Sequence, residues 1–308
     1  MRTLYLLFVL IPWWLLAQPA EHTPKGWQTL TISDGLSQGM IYDLKQDQKG
    51  FIWVATKDGL NRYDGHNFSV FTHDPYNEYS LSDNNCSALL VDSRGWLWVG
   101  TLNQGLNLYD ARTQRFYHID IRDTNAPGAG NHEVRLLAED PDGNIWVNTD
   151  QDKLFRITLP ANLKTNFPDS ANFTRQVRFS SIRLVGMATI ASAHHIQFRP
   201  DGTATVGTTY GMCAFNWRHM RDMRPVNRPP NLAVNKWNPG DDAAQGNYWF
   251  STKQNQLHAW VRGTHKVIDL PTGTTGALVE FLDSATVAVA TLQYLWLLPP
   301  NNFLRWIA

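Results

Sequence analysis

Ten histidines, two cysteines and 27 aspartates and glutamates are the side chains here that could hold a metal or move a proton. No pair of histidines stands at His-x-x-x-His or His-Glu-x-x-His spacing, the arrangement that brings two imidazoles to one ion. His194-His195 precedes an extended run and has no second ligand pair. The carboxylates concentrate in turns, at Asp47, Asp92, Asp140, Asp142 and Asp201. Aspartate caps a turn by accepting backbone N–H groups, so recurrence at one offset reads as architecture and not as a catalytic pair. Asp140-Pro141-Asp142-Gly143 has the opening of a calcium loop but lacks the run of oxygen ligands that must follow. Neither a Gly-x-Ser-x-Gly elbow nor a phosphate loop occurs. The reading is therefore non-enzymatic, with no catalytic residue, metal or cofactor.

What remains is recognition by loops. Tyr76, Tyr79, Asn103, Gln104 and Tyr210 carry rings and amides in segments that join apolar runs. Rings cover the faces of a sugar, and amides pair with its hydroxyls as donor and acceptor at once. These five are the candidate ligand-binding residues, and an oligosaccharide or similar polar molecule is the expected ligand. With 27 basic and 27 acidic residues the formal charge is zero, so no nucleic-acid partner is expected.

The elements that position these loops repeat. Asp47-Gln48-Lys49-Gly50-Phe51-Ile52-Trp53-Val54-Ala55-Thr56 aligns with Asp92–Thr101 and with Asp140–Thr149. Weaker copies centre on Thr205, Trp249 and Ala288, so that the anchors 53, 98, 146, 205, 249 and 288 are spaced by 45, 48, 59, 44 and 39 residues. Each strong copy begins with an apolar strand and turns at Asp-x-x-Gly, where Gly supplies the positive φ. A second strand follows, carrying Trp, a small residue and Thr. A third strand comes next (Leu60–Asp64, Leu106–Asp110, Leu154–Arg156), and then a fourth. A four-stranded meander every ~40–50 residues is the unit of a β-propeller. The expectation is an all-β chain with one propeller of antiparallel four-stranded blades, the Trp rings lying between blades. A sandwich leaves the period unexplained, and a β-helix needs a shorter one.

Six copies leave the ring at six blades, or at seven with one cut away. Trp27–Ile32 and Phe303–Ile307 compete for the outer slot that would close it. Residues 1–17, with Arg2 ahead of the apolar run Leu4–Leu16, read as a signal peptide, leaving 18–308 as the propeller. That places the mature chain in the periplasm or outside the cell, with no membrane span. Cys86 and Cys213 fall in different repeats and are expected as two buried thiols.

Gly35-Leu36-Ser37, followed by Asp47…Gly50-Phe51-Ile52-Trp53-Val54-Ala55-Thr56-Lys57-Asp58-Gly59-Leu60-Asn61-Arg62-Tyr63-Asp64-Gly65, resembles the two-component regulator propeller repeat. The resemblance is specific over 27–119, fair to about 157 and only periodic from 195 onward. It implies the periplasmic sensor region of a hybrid two-component system, in which propellers precede a membrane helix and a histidine kinase and many members sense glycan fragments. It also implies partners, either another propeller or a membrane kinase chain. This sequence contains no kinase or DNA-binding part, so phosphotransfer by it is not expected. The rival readings are a protein-interaction scaffold and, behind it, a propeller lyase or glycosidase.

Overall fold

The computed structural model describes residues 28–119, 121, 133–149, 153–159, 178–183, 193–208 and 211–226, and beyond these the strands up to Leu298. Residues 1–17, expected as a leader, the Phe303–Ile307 segment and Tyr210 lie outside the described residues. β1 (Gln28–Leu30) leads into one 3-10 turn, Ile32–Asp34. The first blade follows with β2 (Ile41–Gln46), β3 (Ile52–Thr56), β4 (Gly59–Tyr63) and β5 (Phe68–Phe71). The second has β6 (Cys86–Val91), β7 (Leu97–Thr101), β8 (Leu106–Asp110) and β9 (Arg115–Ile119). The third has β10 (Val134–Glu139), β11 (Ile145–Thr149), β12 (Lys153–Thr158) and β13 (Arg178–Arg183). The fourth is β14 (Ala193–Phe198), β15 (Thr203–Thr208), β16 (Gly211–Asn216) and β17 (Arg221–Val226). The fifth is β18 (Val234–Asn238), β19 (Tyr248–Thr252), β20 (Gln256–Val261) and β21 (Thr264–Asp269), and the last has β22 (Leu278–Phe281), β23 (Val287–Ala290) and β24 (Leu295–Leu298).

Strands pair in chain order within each of six four-stranded antiparallel sheets, and the fourth place of the last sheet is taken by β1. Gln28, Thr29 and Leu30 pair with Leu297, Trp296 and Leu295. The innermost strands touch in succession around the circle, and β22 returns to β2. Among the described residues the ring is thus closed at six blades, shut by β1.

Each strong blade is fixed by one aspartate. In the second, Asp92 Oδ1 accepts the N–H groups of Arg94 and Trp96, while Oδ2 accepts the Trp98 indole N–H at 2.9 Å. Asp47 and Asp140 do the same for Trp53 and Trp146, each at 2.8 Å. Gly50, Gly95 and Gly143 take φ of 89°, 79° and 78°, which closes the turn. The carboxylate therefore shapes the turn and also aims the ring six residues later. Trp53 packs on Leu89, Val99 and Tyr109 of the next blade, Trp98 on Val134 and Val147, and Trp146 on Val206 and Phe215.

The fourth blade departs from this rule. The position of Asp47 is held by Arg199, because Arg199 and Thr203 pair across the turn as Asp47 and Phe51 do. Asp201 therefore does not share the offset of Asp47, Asp92 and Asp140; it accepts from Thr203 at the end of the turn. The anchor is Thr205, and the buried indole of this blade lies instead on the side facing the third blade, in one cluster with Trp146 and Leu154. Trp217, fully buried, donates its indole N–H to the Arg199 carbonyl at 3.1 Å and lies 5.8 Å from Phe198.

The small residue after each Trp admits the neighbouring sheet. A Cβ on Gly100 would lie 2.7 Å from Val134 Cβ, inside any real contact. Cys86 and Cys213 are both free and buried. Burial pushes the Cys86 thiol far up and that of Cys213 up to about 11.

Two outcomes are expected. Asp92→Ala leaves the Trp98 indole without its acceptor in the core, and should lower unfolding stability by about 2 kcal/mol in urea titration. Asp201→Ala, on an exposed turn, should cost under ~0.5 kcal/mol. Neither thiol should react with a maleimide at pH 8 until denaturant is added; reaction at the native rate of a surface thiol would show the packing to be wrong.

Candidate functional site

Antiparallel pairing sets the start of each innermost strand beside the end of the second strand. Loops between second and third strands and loops between blades therefore emerge on one face. Backbone bonds tie them together: Lys57 N–H to Met40 O, Gly59 N–H to Asn84 O, Leu102 N–H to Asn85 O. Two buried amides hold these loops from beneath. Asn61 Oδ1 accepts the Ser37 N–H at 2.8 Å and its Nδ2 donates to Ser37 Oγ. Asn107 repeats both bonds to Ser82, at 3.0 and 2.8 Å. Leu36 and Leu81, each just ahead of its serine, are buried. In the third blade Phe155 takes the amide's place, and Asn148 stands at the small position. Its Oδ1 accepts the N–H of Ala193 at the start of the fourth blade.

At the mouth of the channel the innermost strands share an irregularity. Pairing skips one residue in five of the six: Tyr42, Ser87, Arg135, His194 and Asn235. Such a bulge leaves its extra residue outside the ladder and re-aims it. Five polar residues thus stand at one level around the axis, and β22 carries no such shift. Tyr42 and Arg135 belong to the first and third blades. Burial pushes the Tyr42 phenol up, and the Glu133 carboxylate, just ahead of β10, adds to it. Blades one and three are not neighbours in the ring, so the influence of Glu133 on Tyr42 acts across the mouth. Arg135 donates to Glu133 at 2.6 Å, Ser87 Oγ donates to the Val134 carbonyl, and Tyr42 donates its hydroxyl to Met40 Sδ at 3.1 Å. The mouth therefore joins a protonated phenol, a carboxylate, a guanidinium and a hydroxyl, donors and acceptors within reach of one polar guest.

Of the five residues expected from sequence, the structure brings two to this face. Asn103 and Gln104 are exposed in the loop between β7 and β8, and Asn103 donates to Asp83 at 2.7 Å. Tyr79 lies elsewhere: its carbonyl accepts the Phe116 N–H from the outermost strand, and Phe116 pairs with Tyr109 well down the blade. Arg115 stacks on the Tyr79 ring at 4.4 Å. Tyr76, 99% exposed, is at the tip of the same loop. The 73–85 segment thus carries both tyrosines to the outer edge of the second blade before returning to the mouth. The bulge residues were missed because the strand reading stopped at apolar runs. A signal existed: Tyr42, Ser87, Arg135 and His194 each stand five residues before the first residue of the turn. Among the described residues no group of three or more histidines, cysteines and acids could hold a metal ion. No helix among them is long and apolar enough to cross a membrane.

The family described as two component regulator propeller matches residues 35–58, 80–103 and 128–151. Each match spans the innermost strand, Asp turn and Trp strand of one of the first three blades. Over 63 residues the chain is 40% identical to Histidine kinase P4 of Formosa agariphila, a match to 20% of this chain and 5% of that protein's length. Its fold is similar to the extracellular domain assigned to the hybrid two component system BT3049 of B. thetaiotaomicron, with a TM-score of 0.61 at 20% identity. That match covers 91% of this chain and 36% of the other. It is also similar to virginiamycin B lyase from Staphylococcus aureus, with a TM-score of 0.56 at 12% identity over 89% and 98% of the two chains. These structural likenesses show a shared fold.

Asn107→Ala should release the Ser82 end of the 73–85 loop. Limited proteolysis of the folded protein should then cut within that loop at least tenfold faster, while β2–β5 remain uncut. An unchanged cleavage rate would mean that the loop does not depend on the amide.

Proposed function

We propose that this chain, whose first three blades carry two-component regulator propeller repeats, is a ligand-sensing region that works outside the cytoplasm and takes a hydroxyl-rich ligand, an oligosaccharide, at its channel mouth. The observation that carries this reading is the bulge repeated in register, which sets Tyr42, Ser87 and Arg135 beside Glu133 on the loop-bearing face. A carboxylate accepts two sugar hydroxyls, a guanidinium donates to others, and a phenol offers a ring face with a donor at its edge. Asn103 and Gln104, on the loop between β7 and β8, extend the site outward, and Tyr210 stays a candidate on sequence alone. Tyr76 and Tyr79 are not part of it. A kinase chain or a further propeller is the partner that would receive the signal, and residues 1–17 would serve as the export leader.

Calorimetry of the whole chain against a panel of defined oligosaccharides tests this. Saturable binding with no product by chromatography is expected. Tyr42→Phe and Arg135→Ala should each weaken it about tenfold, ~1.4 kcal/mol, while Tyr76→Ala leaves it unchanged. Release of a shortened or unsaturated sugar would mark a propeller enzyme, and absence of any sugar binding would leave the scaffold reading.

A further inference from the structure

β10 is held to the second blade at both of its ends. At the mouth, Ser87 Oγ donates to the Val134 carbonyl, and the Val134 side chain fills the notch left by Gly100 and lined by Ala88. At the opposite face, Glu139 accepts the Ser93 N–H at 2.6 Å and the Ser93 hydroxyl at 2.7 Å. Arg94 closes the same end. It lies 3.3 Å from Glu139, donates to the Gly143 carbonyl at 2.9 Å and is itself held by Asp92. Between these clamps runs one extended strand of six residues, ~20 Å long. Two of the groups at the mouth, Glu133 and Arg135, flank Val134 directly in the chain.

We propose that β10 is the element through which occupancy of the mouth reaches the opposite face of the ring, with the Ser93–Glu139 clamp as its far end. This rests on the mouth being the ligand site. A guest that draws on Ser87, Glu133 or Arg135 competes with the bonds that fix Val134. A strand whose polar bonds to the second blade sit at its two ends, with Leu137 packed in the shared core between them, passes such a displacement along its length together with its ladder to β11. The first interface is built differently at the turn face, where the Gln48 amide lies against Gly95. The interface between the second and third blades therefore has a polar clamp at each face, and the far one is exposed at Ser93.

Coupling of this kind is reciprocal and needs no ligand to be measured. Hydrogen–deuterium exchange of the whole chain reads it directly, since the Ser93 amide is one of the clamp bonds. Ser87→Ala should raise exchange at residues 93–95 tenfold or more, with 41–46 unaltered. Ser87→Thr, which keeps the hydroxyl, should restore the slow rate. In the reverse direction Glu139→Gln, which keeps the side chain's shape, should speed exchange around 133–136, and it serves if Ser87→Ala does not fold. No change at the far end in either variant overturns the proposal, as does a uniform rise over all blades. Because the test is made without sugar, its failure is separate from failure of the oligosaccharide reading, which calorimetry alone decides.

Discussion

A single carboxylate, used twice, organises the blades. One oxygen of Asp47, Asp92 or Asp140 gathers the N–H groups of a tight turn, and the other takes an indole N–H. An indole buried without an acceptor would cost roughly as much as its N–H gains in water, so the ring is admitted to the core only where the turn supplies an oxygen. The turn at one face thereby fixes which residue reaches the next sheet. In the fourth blade Arg199 and Thr205 stand in place of Asp and Trp, and the buried indole, Trp217, lies on the side facing the third blade, where it too finds an acceptor, the Arg199 carbonyl of the turn.

Much of this was legible before any coordinates. The three copies carrying Asp, Gly and Trp gave the sheet class, the blade unit and the place of the rings, because those residues make local bonds whose partners lie within six positions. Features that depend on distant partners were not legible. Trp27–Ile32 was one of two candidates for the closing slot, and the choice between them rests on Leu295, Trp296 and Leu297, whose stretch bears none of the repeat's marks. The exchange of roles between Asn148 and Phe155 is visible only once registers are known. Tyr79 is a loop residue by sequence, yet its destination depends on Phe116, some forty positions later. The strand in the fifth blade at Val234–Asn238 was absent from the apolar runs because it reads Val-Asn-Lys-Trp-Asn.

The mouth illustrates the same division. Loop residues are easy to nominate from composition, and Asn103 and Gln104 do reach the expected face. The bulge positions are harder. One extra residue in a strand changes no hydrophobic pattern, and its identity varies from Tyr to Ser to Arg. Such variation is what a site on a repeated frame needs: the frame stays constant while the projecting group changes from blade to blade.

The last sheet joins a strand from the beginning of the described chain to three from its end. A ribosome releases β1 long before it makes β24, so the nascent propeller spends most of its synthesis as an open arc. Through that interval the flank formed by Leu44, Ile52 and Val54 has no neighbour to cover it, and the free edge of β1 has no strand to join. Joining ends so far apart carries an entropic cost of about 5 kcal/mol, met in one late step and not blade by blade. Growth of the arc is gradual, but its completion is all or none, and chaperone demand should be concentrated in the time just before the final strand emerges.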